Sequence, residues 1–232
     1  MSTATYANQQ LRAVALEVYF KGRLGFREAA ARVQQTFEKD LPHLFVPNAK
    51  PEQAIDLQPY QLRNDDSSQT LAFAINQVAY VSRAYPGHES FAARGLELIP
   101  PALDELKITE LQRVIYRYEN EITVGRDERG VIPLAKVLKV PALPWWAGDS
   151  LTEISTSWTQ LAPHGRLAIQ IAVEGEAPME KLLISIVSVV MPAGPASDLA
   201  RFASRAHDAA RTWFEAAITD DFRGYIKGES NG

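Results

Sequence analysis

Residues 111–124, LQRVIYRYENEITV, predict the central strand of the fold. Their character alternates with a period of two, the period at which successive side chains point to opposite faces of a strand. Apart from Asn120, one face is apolar or aromatic, and it carries Val114, Tyr116, Tyr118, Ile122 and Val124. The other face carries Arg113, Arg117, Glu119 and Glu121, with Ile115 among them. We therefore expect an interior strand that is shielded on its tyrosine side.

The composition is that of an ordinary globular protein. The chain has 232 residues, of which 46% are hydrophobic and 22% are charged. That length suits one large domain or two small ones. The formal net charge of −4 disfavours a general electrostatic grip on nucleic acid, which needs a basic surface. We expect no nucleic-acid partner.

Three features bear on the compartment. The chain contains no cysteine, which excludes disulfides, thiolate nucleophiles and zinc sites built on sulfur. The opening MSTATYANQQLRAV lacks a basic segment followed by an apolar core, so no secretory signal is predicted. The longest apolar run, residues 182–191, is shorter than the roughly 20 residues that span a bilayer. We expect a cytoplasmic location in a bacterial-type cell and no membrane association.

Ahead of the central strand, the pattern predicts a strand, a helix, two or three strands and a second helix. Residues 64–68, NDDSS, predict a hairpin turn. Pro100 and Pro101 are expected to end the second helix early. The predicted elements are a strand at 11–20, a helix at 26–39, a loop at 41–51, a strand ending near 63, a strand at 70–82 with a candidate break near Asn76, and a helix at 89–106.

After the central strand, a similar series of elements follows. The predicted elements are a short helix-compatible segment at 132–140, strands at 152–161, 166–174 and 181–190, and a last helix from about 197 to 219. Ser197 is the predicted N-cap of that helix. Residues 223–232 are glycine-rich and polar, and they predict a mobile tail.

The repeated order of elements predicts an internal duplication. The halves 1–106 and 107–222 both begin with a strand and end with a helix, at an offset of about 100 residues. The predicted fold is α+β, a mostly antiparallel sheet from two duplicated halves with helices packed on it. The two leading strands, one from each half, would pair at the centre of one continuous sheet. The saddle-like TATA-binding arrangement is built from two repeats in a similar way. The alternative is a single α+β domain whose apparent repeat is chance.

Short motifs resemble those of a known family. RYENEI at residues 117–122 looks like the R-Y-x-N-x-I motif of a sporadically distributed bacterial family of uncharacterised proteins. The pattern His207-x6-Phe214-x3-Ile-Thr is similar to that family's C-terminal pattern, and the opening strand with Glu17 resembles its start. The family usually has an apolar residue where Glu119 stands here. The resemblance implies kinship of fold and no established activity.

The sequence lacks the common motifs of nucleotide and zinc chemistry. GxxxxGK[ST], GxGxxG, GxSxG and HExxH are all absent. We therefore expect no cofactor and no metal, and we assign no catalytic residue. Of the four histidines, His43, His88 and His164 are predicted to be exposed loop residues, whereas His207 borders the apolar stripe of the last helix.

Asn120 and His207 are two polar residues expected on buried surfaces. A buried carboxamide or imidazole needs a hydrogen-bond partner. The partner of Asn120 is expected to be backbone, the side chain of His207, or a ligand. Our hypothesis is that the two residues meet between the sheet and the last helix. The alternative is that both have only structural roles, His207 by joining the helix to the sheet.

Arg117 and Trp146 are the other binding candidates. Arg117 lies on the charged face with Glu119, where the pattern fits either a solvated sheet surface or a site for an anion or partner. Trp145 and Trp146 lie in the proline-rich loop PALPWWAG. Adjacent side chains of an extended segment point to opposite sides, so one tryptophan could anchor the loop while Trp146 meets a partner or a second copy. The alternative is that both pack under the loop.

Two function classes follow from these features. The favoured class is a non-catalytic binding or adaptor protein that recognises a protein partner or a small ligand in the groove between sheet and last helix. The alternative is a small-molecule enzyme that uses Asn120, His207 and either Glu17 or Arg117 there. An open cavity beside Asn120 and His207 would favour a ligand or catalysis, and a closed core beside an apolar patch would favour a protein partner. Patchy family distribution suggests defence or toxin neutralisation by analogy.

Overall fold

A nine-stranded antiparallel sheet is the main element of the protein, seen in a computed structural model. The structure describes residues 10–23, 25–46, 58–123, 126, 128, 130–131, 134–139, 155–174, 181–191 and 194–228. Within these residues, helices pack on the large sheet and a second sheet has two strands. The predicted α+β fold with a mostly antiparallel sheet is confirmed.

The elements follow one another in an order close to the predicted one. The strands are β1 (Leu11–Tyr19), β2 (His43–Phe45), β3 (Tyr60–Arg63), β4 (Gln69–Ala74), β5 (Gln77–Ser82), β6 (Glu110–Leu111), β7 (Arg113–Thr123), β8 (Ser155–Ala162), β9 (Gly165–Glu174), β10 (Lys181–Val190) and β11 (Gly194–Pro195). The helices are α1 (Phe26–Phe37), α2 (His88–Glu105), α3 (Leu199–Ala217) and α4 (Asp220–Lys227), with short 3₁₀ turns at Leu134–Lys136 and Ala196–Asp198.

The strands β1 and β7 lie side by side at the centre of the large sheet. The order of strands is β2-β3-β4-β5-β1-β7-β10-β9-β8. Leu16 lies opposite Tyr116, and Val14 lies opposite Tyr118. This confirms the prediction that the leading strands of the two halves pair and make one continuous sheet. Internal duplication of 1–106 and 107–222 stays a prediction.

Strand β7 has the predicted alternation. Every second side chain from Val114 to Ile122 is buried, and Asn120 is among them. The strand begins at Arg113, later than predicted. Leu111 belongs instead to the short strand β6, which pairs with β11 in the second sheet, and Gln112 separates the two strands. Val124 lies outside the described residues.

Helix α2 continues through both prolines, so the prediction that they end it was wrong. Pro100 and Pro101 lie inside the helix. A proline in a helix interior costs about 3 kcal/mol, because it removes a hydrogen bond and crowds the preceding turn. Fully burying one large apolar side chain contributes about 1.5–3 kcal/mol. The flanking residues Leu98, Ile99, Ala102 and Leu103 are all at most 1% exposed. Their burial outweighs the disruption.

Three predictions of local structure also need correction. A strand, β2, forms within the segment predicted as a loop, because the chain pairs with the neighbouring β3. Ser197 lies in a 3₁₀ turn, and Asp198 is the N-cap of α3, where it forms an ion pair with Arg201. The predicted mobile tail is helical through Lys227, since Phe222 and Ile226 are buried. The end of the tail, 229–232, lies outside the described residues.

The helices that matter for the site cover the tyrosine side of the central strands. Helix α3 contacts β7 and β10, and helix α2 contacts β5. Buried side chains from both halves of the chain belong to one continuous apolar cluster. In the described part of the chain, no helix has both the length and the hydropathy that a membrane span requires.

Candidate functional site

A cavity of about 190 Å³ lies between the sheet and the helices. Strand β7 contributes Tyr118 and Asn120, helix α2 contributes His88, and helix α3 contributes His207 and Arg211. Apolar side chains of β7, β10, α3 and α4 complete the wall. Asn120 and His207 therefore border an open cavity, which is the arrangement expected for a ligand or for catalysis.

Asn120 is held by the neighbouring strand. Its side chain is 8% exposed, and its Nδ2 donates a hydrogen bond to the carbonyl oxygen of Ile184 at 3.0 Å. Ile184 lies directly opposite Asn120 in the β7–β10 pair, so the carboxamide bonds across the ladder. No hydrogen bond between described residues joins Asn120 to His207. The two line one cavity and each has its own protein partner, so the hypothesis that their side chains meet stays a prediction.

His207 is a buried imidazole on the sheet-facing side of α3. It is 7% exposed, and its Nδ1 lies 2.5 Å from the hydroxyl of Tyr118. Burial lowers the pKa of His207 to about 3, and electrostatic interactions with His88 and Arg211 act in the same direction. The ring is therefore neutral at pH 7, so one nitrogen accepts and the other donates.

His88 belongs to the site, which corrects its prediction as an exposed loop histidine. It is the first residue of α2 and is half-buried. Its ring stacks on that of His207 with centroids 3.4 Å apart and an interplanar angle of 6°. Its Nδ1 lies 3.1 Å from the hydroxyl of Tyr116, and burial lowers its pKa. Gly87 has a φ of 101°, a conformation that favours glycine where the chain enters the helix.

The other two histidines are exposed, as predicted. His43 lies on the edge strand β2, with Nε2 3.0 Å from Asp65 Oδ1. His164 lies in the turn between β8 and β9. Neither lines the cavity.

Three tyrosines keep their hydroxyl protons around the imidazoles. Burial raises the pKa of Tyr116 and Tyr118 far above the ordinary value, and it raises the pKa of Tyr85 to about 12. The rings of Tyr116 and Tyr118 stack at 5.1 Å, and Tyr85 meets Tyr118 edge to face at 6.2 Å. The site is thus built from neutral hydrogen-bonding groups on aromatic rings.

Arg211 is a cavity residue that the sequence analysis did not identify. It follows His207 by one helical turn, and residues four apart lie on the same side of a helix. Its side chain is exposed at the cavity and forms no ion pair or hydrogen bond with another described residue. A basic residue four positions after a buried histidine was the signal that would have identified it.

Arg117 lies on the opposite side of the sheet and is bound within the protein. Its Nε donates to Glu17 Oε1 at 2.9 Å, and the hydroxyl of Tyr19 donates to Glu17 Oε2 at 3.0 Å. Glu17 is 9% exposed, so this pair is partly shielded from water. The structure thus pairs Arg117 of β7 with Glu17 of the adjacent strand β1. A second cavity, of about 270 Å³, lies on this side, and Arg117, Glu17 and Glu119 are among the residues that line it.

Trp146 is the remaining binding candidate, and a metal site is the remaining kind of site to consider. Trp146 lies outside the described residues, and so does its neighbour Trp145. Among the residues that are described, no group of three or more histidine, aspartate or glutamate side chains is placed to hold a metal ion.

Comparisons with known proteins add no assignment. The chain matches no protein-family model, and it matches no curated protein. The site must therefore be interpreted from its own geometry.

Proposed function

We propose that this protein is a non-catalytic binding protein that holds a small ligand between the sheet and helix α3. One observation carries the proposal. Two polar residues that the hydrophobic pattern places on buried surfaces, Asn120 and His207, line an open cavity instead of a closed core. A cavity with apolar walls and a few converging polar groups is the usual form of a ligand site.

The titration of the site favours binding over acid–base catalysis. An efficient general acid or base has a pKa near the working pH. The pKa of His207 is lowered to about 3, and that of Tyr85 is raised to about 12. Both groups are therefore held in their neutral forms at pH 7. A small-molecule enzyme that uses these residues is the weaker alternative.

The cavity walls suit a ligand with a substantial apolar part. Phe214 and Phe222 contribute aromatic surface, while Ile122 and Ile186 contribute aliphatic surface from two adjacent strands. Cavities of about 150 Å³ with apolar walls are known to hold benzene. A compact ring or a short aliphatic chain is therefore the appropriate size of probe.

The test is an NMR titration with a fixed panel of small compounds. The panel contains benzoate, phenylacetate and hexanoate, together with the amide of each. We expect at least one compound to shift the amide signals of Asn120 and His207 in a saturable manner. Ala210 lines the cavity and is 1% exposed, so Ala210→Leu should fill the space and abolish those shifts.

The matched control is Ala209→Leu. Ala209 precedes Ala210 on the same helix but does not line the cavity, so this variant should bind like the unmodified protein. The proposal is wrong if no compound of the panel moves the cavity signals. It is also wrong if Ala210→Leu, shown to be folded by its spectrum, binds as well as the unmodified protein.

The wider biological setting stays part of the proposal. We propose a cytoplasmic location. Disulfides are rare in that compartment, so a chain without cysteine lacks no stabilising bond that its neighbours have. Kinship with the R-Y-x-N-x-I family, and a role in defence or toxin neutralisation, also remain proposals. So do a protein partner and a homodimer that uses Trp146.

A further inference from the structure

Among the described lining residues of the cavity, Arg211 is the one arginine or lysine, and its charge acts on several of the cavity's groups. Arg211 lies beside His207 on α3, and its charge contributes to lowering the pKa of His207, where burial is the larger cause. It acts in the same direction on His88 and on Tyr85, although burial dominates both. Arg211 is therefore close to groups from two parts of the chain, α3 and the segment that enters α2.

The acidic side chain of the cavity does not neutralise Arg211 through a direct contact. Glu89 is the one acid among the described lining residues, and it has an interaction of its own. No ion pair between described residues joins it to Arg211. An exposed guanidinium beside an apolar cavity, without a carboxylate partner, can accept an anion through paired N–H groups.

The two imidazoles extend this donor surface. The hydroxyls of Tyr118 and Tyr116 face Nδ1 of His207 and Nδ1 of His88. A protonated hydroxyl that donates to Nδ1 leaves the proton of a neutral imidazole on Nε2. Both Nε2 atoms would then be donors.

These Nε2 atoms are open to the cavity or to solvent. Neither forms a hydrogen bond to a described residue. Among the described residues, the one fully buried side-chain nitrogen or oxygen without a hydrogen-bond partner is Thr70 Oγ1. A histidine nitrogen that has no partner is therefore not fully buried. The free nitrogens are therefore not sealed inside the core.

We propose that the cavity selects an organic anion, a small carboxylic acid in its ionised form. The carboxylate lies between Arg211 and the Nε2–H groups of His207 and His88, and the apolar body lies against the wall that includes Phe214. This inference rests on the proposed ligand-binding function and adds the chemical class of the ligand. A cationic ligand of the same shape would leave these donors without an acceptor, and a neutral amide would accept from them without the added strength of charge.

The experiment compares each acid of the panel with its own amide. The two members of a pair have nearly the same shape and differ in charge, so shape cannot explain a preference. At pH 7.5 we expect at least one acid to bind about tenfold tighter than its amide, because charge-assisted hydrogen bonds are the stronger class. Arg211→Met, which keeps an apolar stem, should reduce that ratio to about one while the amide still binds.

The control variant is Arg205→Met. Arg205 lies on the same helix and carries the same charge, but it does not line the cavity. Its acid-to-amide ratio should equal that of the unmodified protein. If Arg205→Met lowers the ratio as much as Arg211→Met does, the preference reflects the net charge of the helix and the inference is wrong.

The outcomes separate this inference from the proposed function. If acids and amides shift the cavity signals with equal affinity, the ligand class is wrong and ligand binding stands. If none of the six compounds binds, both proposals fail. Imidazole ¹⁵N spectra test the donor arrangement directly: we expect the Nε2–H form of His207, and the Nδ1–H form would overturn the inference.

Discussion

The two faces of strand β7 satisfy their polar groups in opposite ways. On the helix side, the hydroxyls of Tyr116 and Tyr118 face neutral imidazoles, and Asn120 bonds to backbone. On the other side, Arg117 is paired with the carboxylate of Glu17. Burial penalises charge more than it penalises a hydrogen-bonded neutral group, so the side under the helices keeps neutral groups.

This difference bears on where a ligand is expected. Both carboxylate oxygens of Glu17 accept hydrogen bonds, from Arg117 and from Tyr19, so the charged side satisfies its central pair internally. The helix side holds Asn120 and two imidazoles at a cavity, each with a polar atom that is not bonded to a described residue. On the helix side these atoms face a cavity with apolar walls, whereas the cavity on the other side is lined by charged side chains, Arg117 and Glu17 among them.

The largest effect is expected from reversing the charge of Arg117. In Arg117→Glu the partner of Glu17 is lost and a second carboxylate is placed beside it. Breaking a buried ion pair costs about 3–5 kcal/mol, and Arg117 is partly exposed, so we expect a loss of about 3 kcal/mol in the free energy of unfolding. Urea denaturation at pH 7 measures this loss.

Arg166→Glu is the matched control for that experiment. Arg166 is exposed on β9 and forms no ion pair with a described residue, so its reversal should change stability by less than about 0.5 kcal/mol. Equal stability of the two variants would show that the Glu17 pair is not structural. It would return Arg117 to the role of a partner-binding residue.

Much of the sheet could be predicted because its residues follow the simplest periodicity. Strand β10 has the predicted bounds, and β7 alternates as expected. The central pairing of β1 with β7 followed from the order of elements. The fate of Pro100 and Pro101 could not be predicted, because it depends on how much apolar surface tertiary packing buries around them.

The site could be predicted only where a single residue broke a pattern. Asn120 and His207 were recognised because each is polar on an apolar face. His88 interrupts no pattern, and only the packing of α2 against α3 brings it to the cavity, whereas Arg211 was marked only by its position four residues after His207. The hydroxyls of two buried tyrosines need hydrogen-bond acceptors, and this need was the signal in the sequence that pointed to histidines.

Acid should destabilise the helix side of β7 through His207. The pKa of His207 in the folded protein is about 3, below the ordinary value of 6.5, so the unfolded chain binds its proton first as the pH falls. The stability contributed by the neutral ring is complete above pH 6.5 and is lost progressively down to about pH 3. Between pH 7 and pH 5 this loss should be about 2 kcal/mol.

The measurement compares unfolding free energies at the two pH values in His207→Gln and in the unmodified protein. The variant cannot titrate at this position, so its loss between pH 7 and pH 5 should be smaller by about 2 kcal/mol. His164→Gln removes an exposed histidine and should leave the pH dependence unchanged. The same pH dependence in His207→Gln as in the unmodified protein would contradict the low pKa.

The smallest effect is expected at Thr219, which supports the cavity from a distance. Its hydroxyl accepts a hydrogen bond from the backbone N–H of Phe222 at 3.1 Å and donates to the carbonyl of Lys136 at 2.7 Å. Thr219→Ala should destabilise α4 by about 1 kcal/mol, the usual effect of losing an N-cap. Amide exchange in α4 should then be about fivefold faster, while amides of β1 beside Glu17 stay unchanged.

Because α4 presents Phe222 and Ile226 to the cavity, Thr219→Ala should also weaken probe binding, and Thr219→Ser, which keeps the oxygen, should restore it. Weaker binding in both variants would show that the methyl group of Thr219, and not its hydroxyl, holds α4 against the cavity.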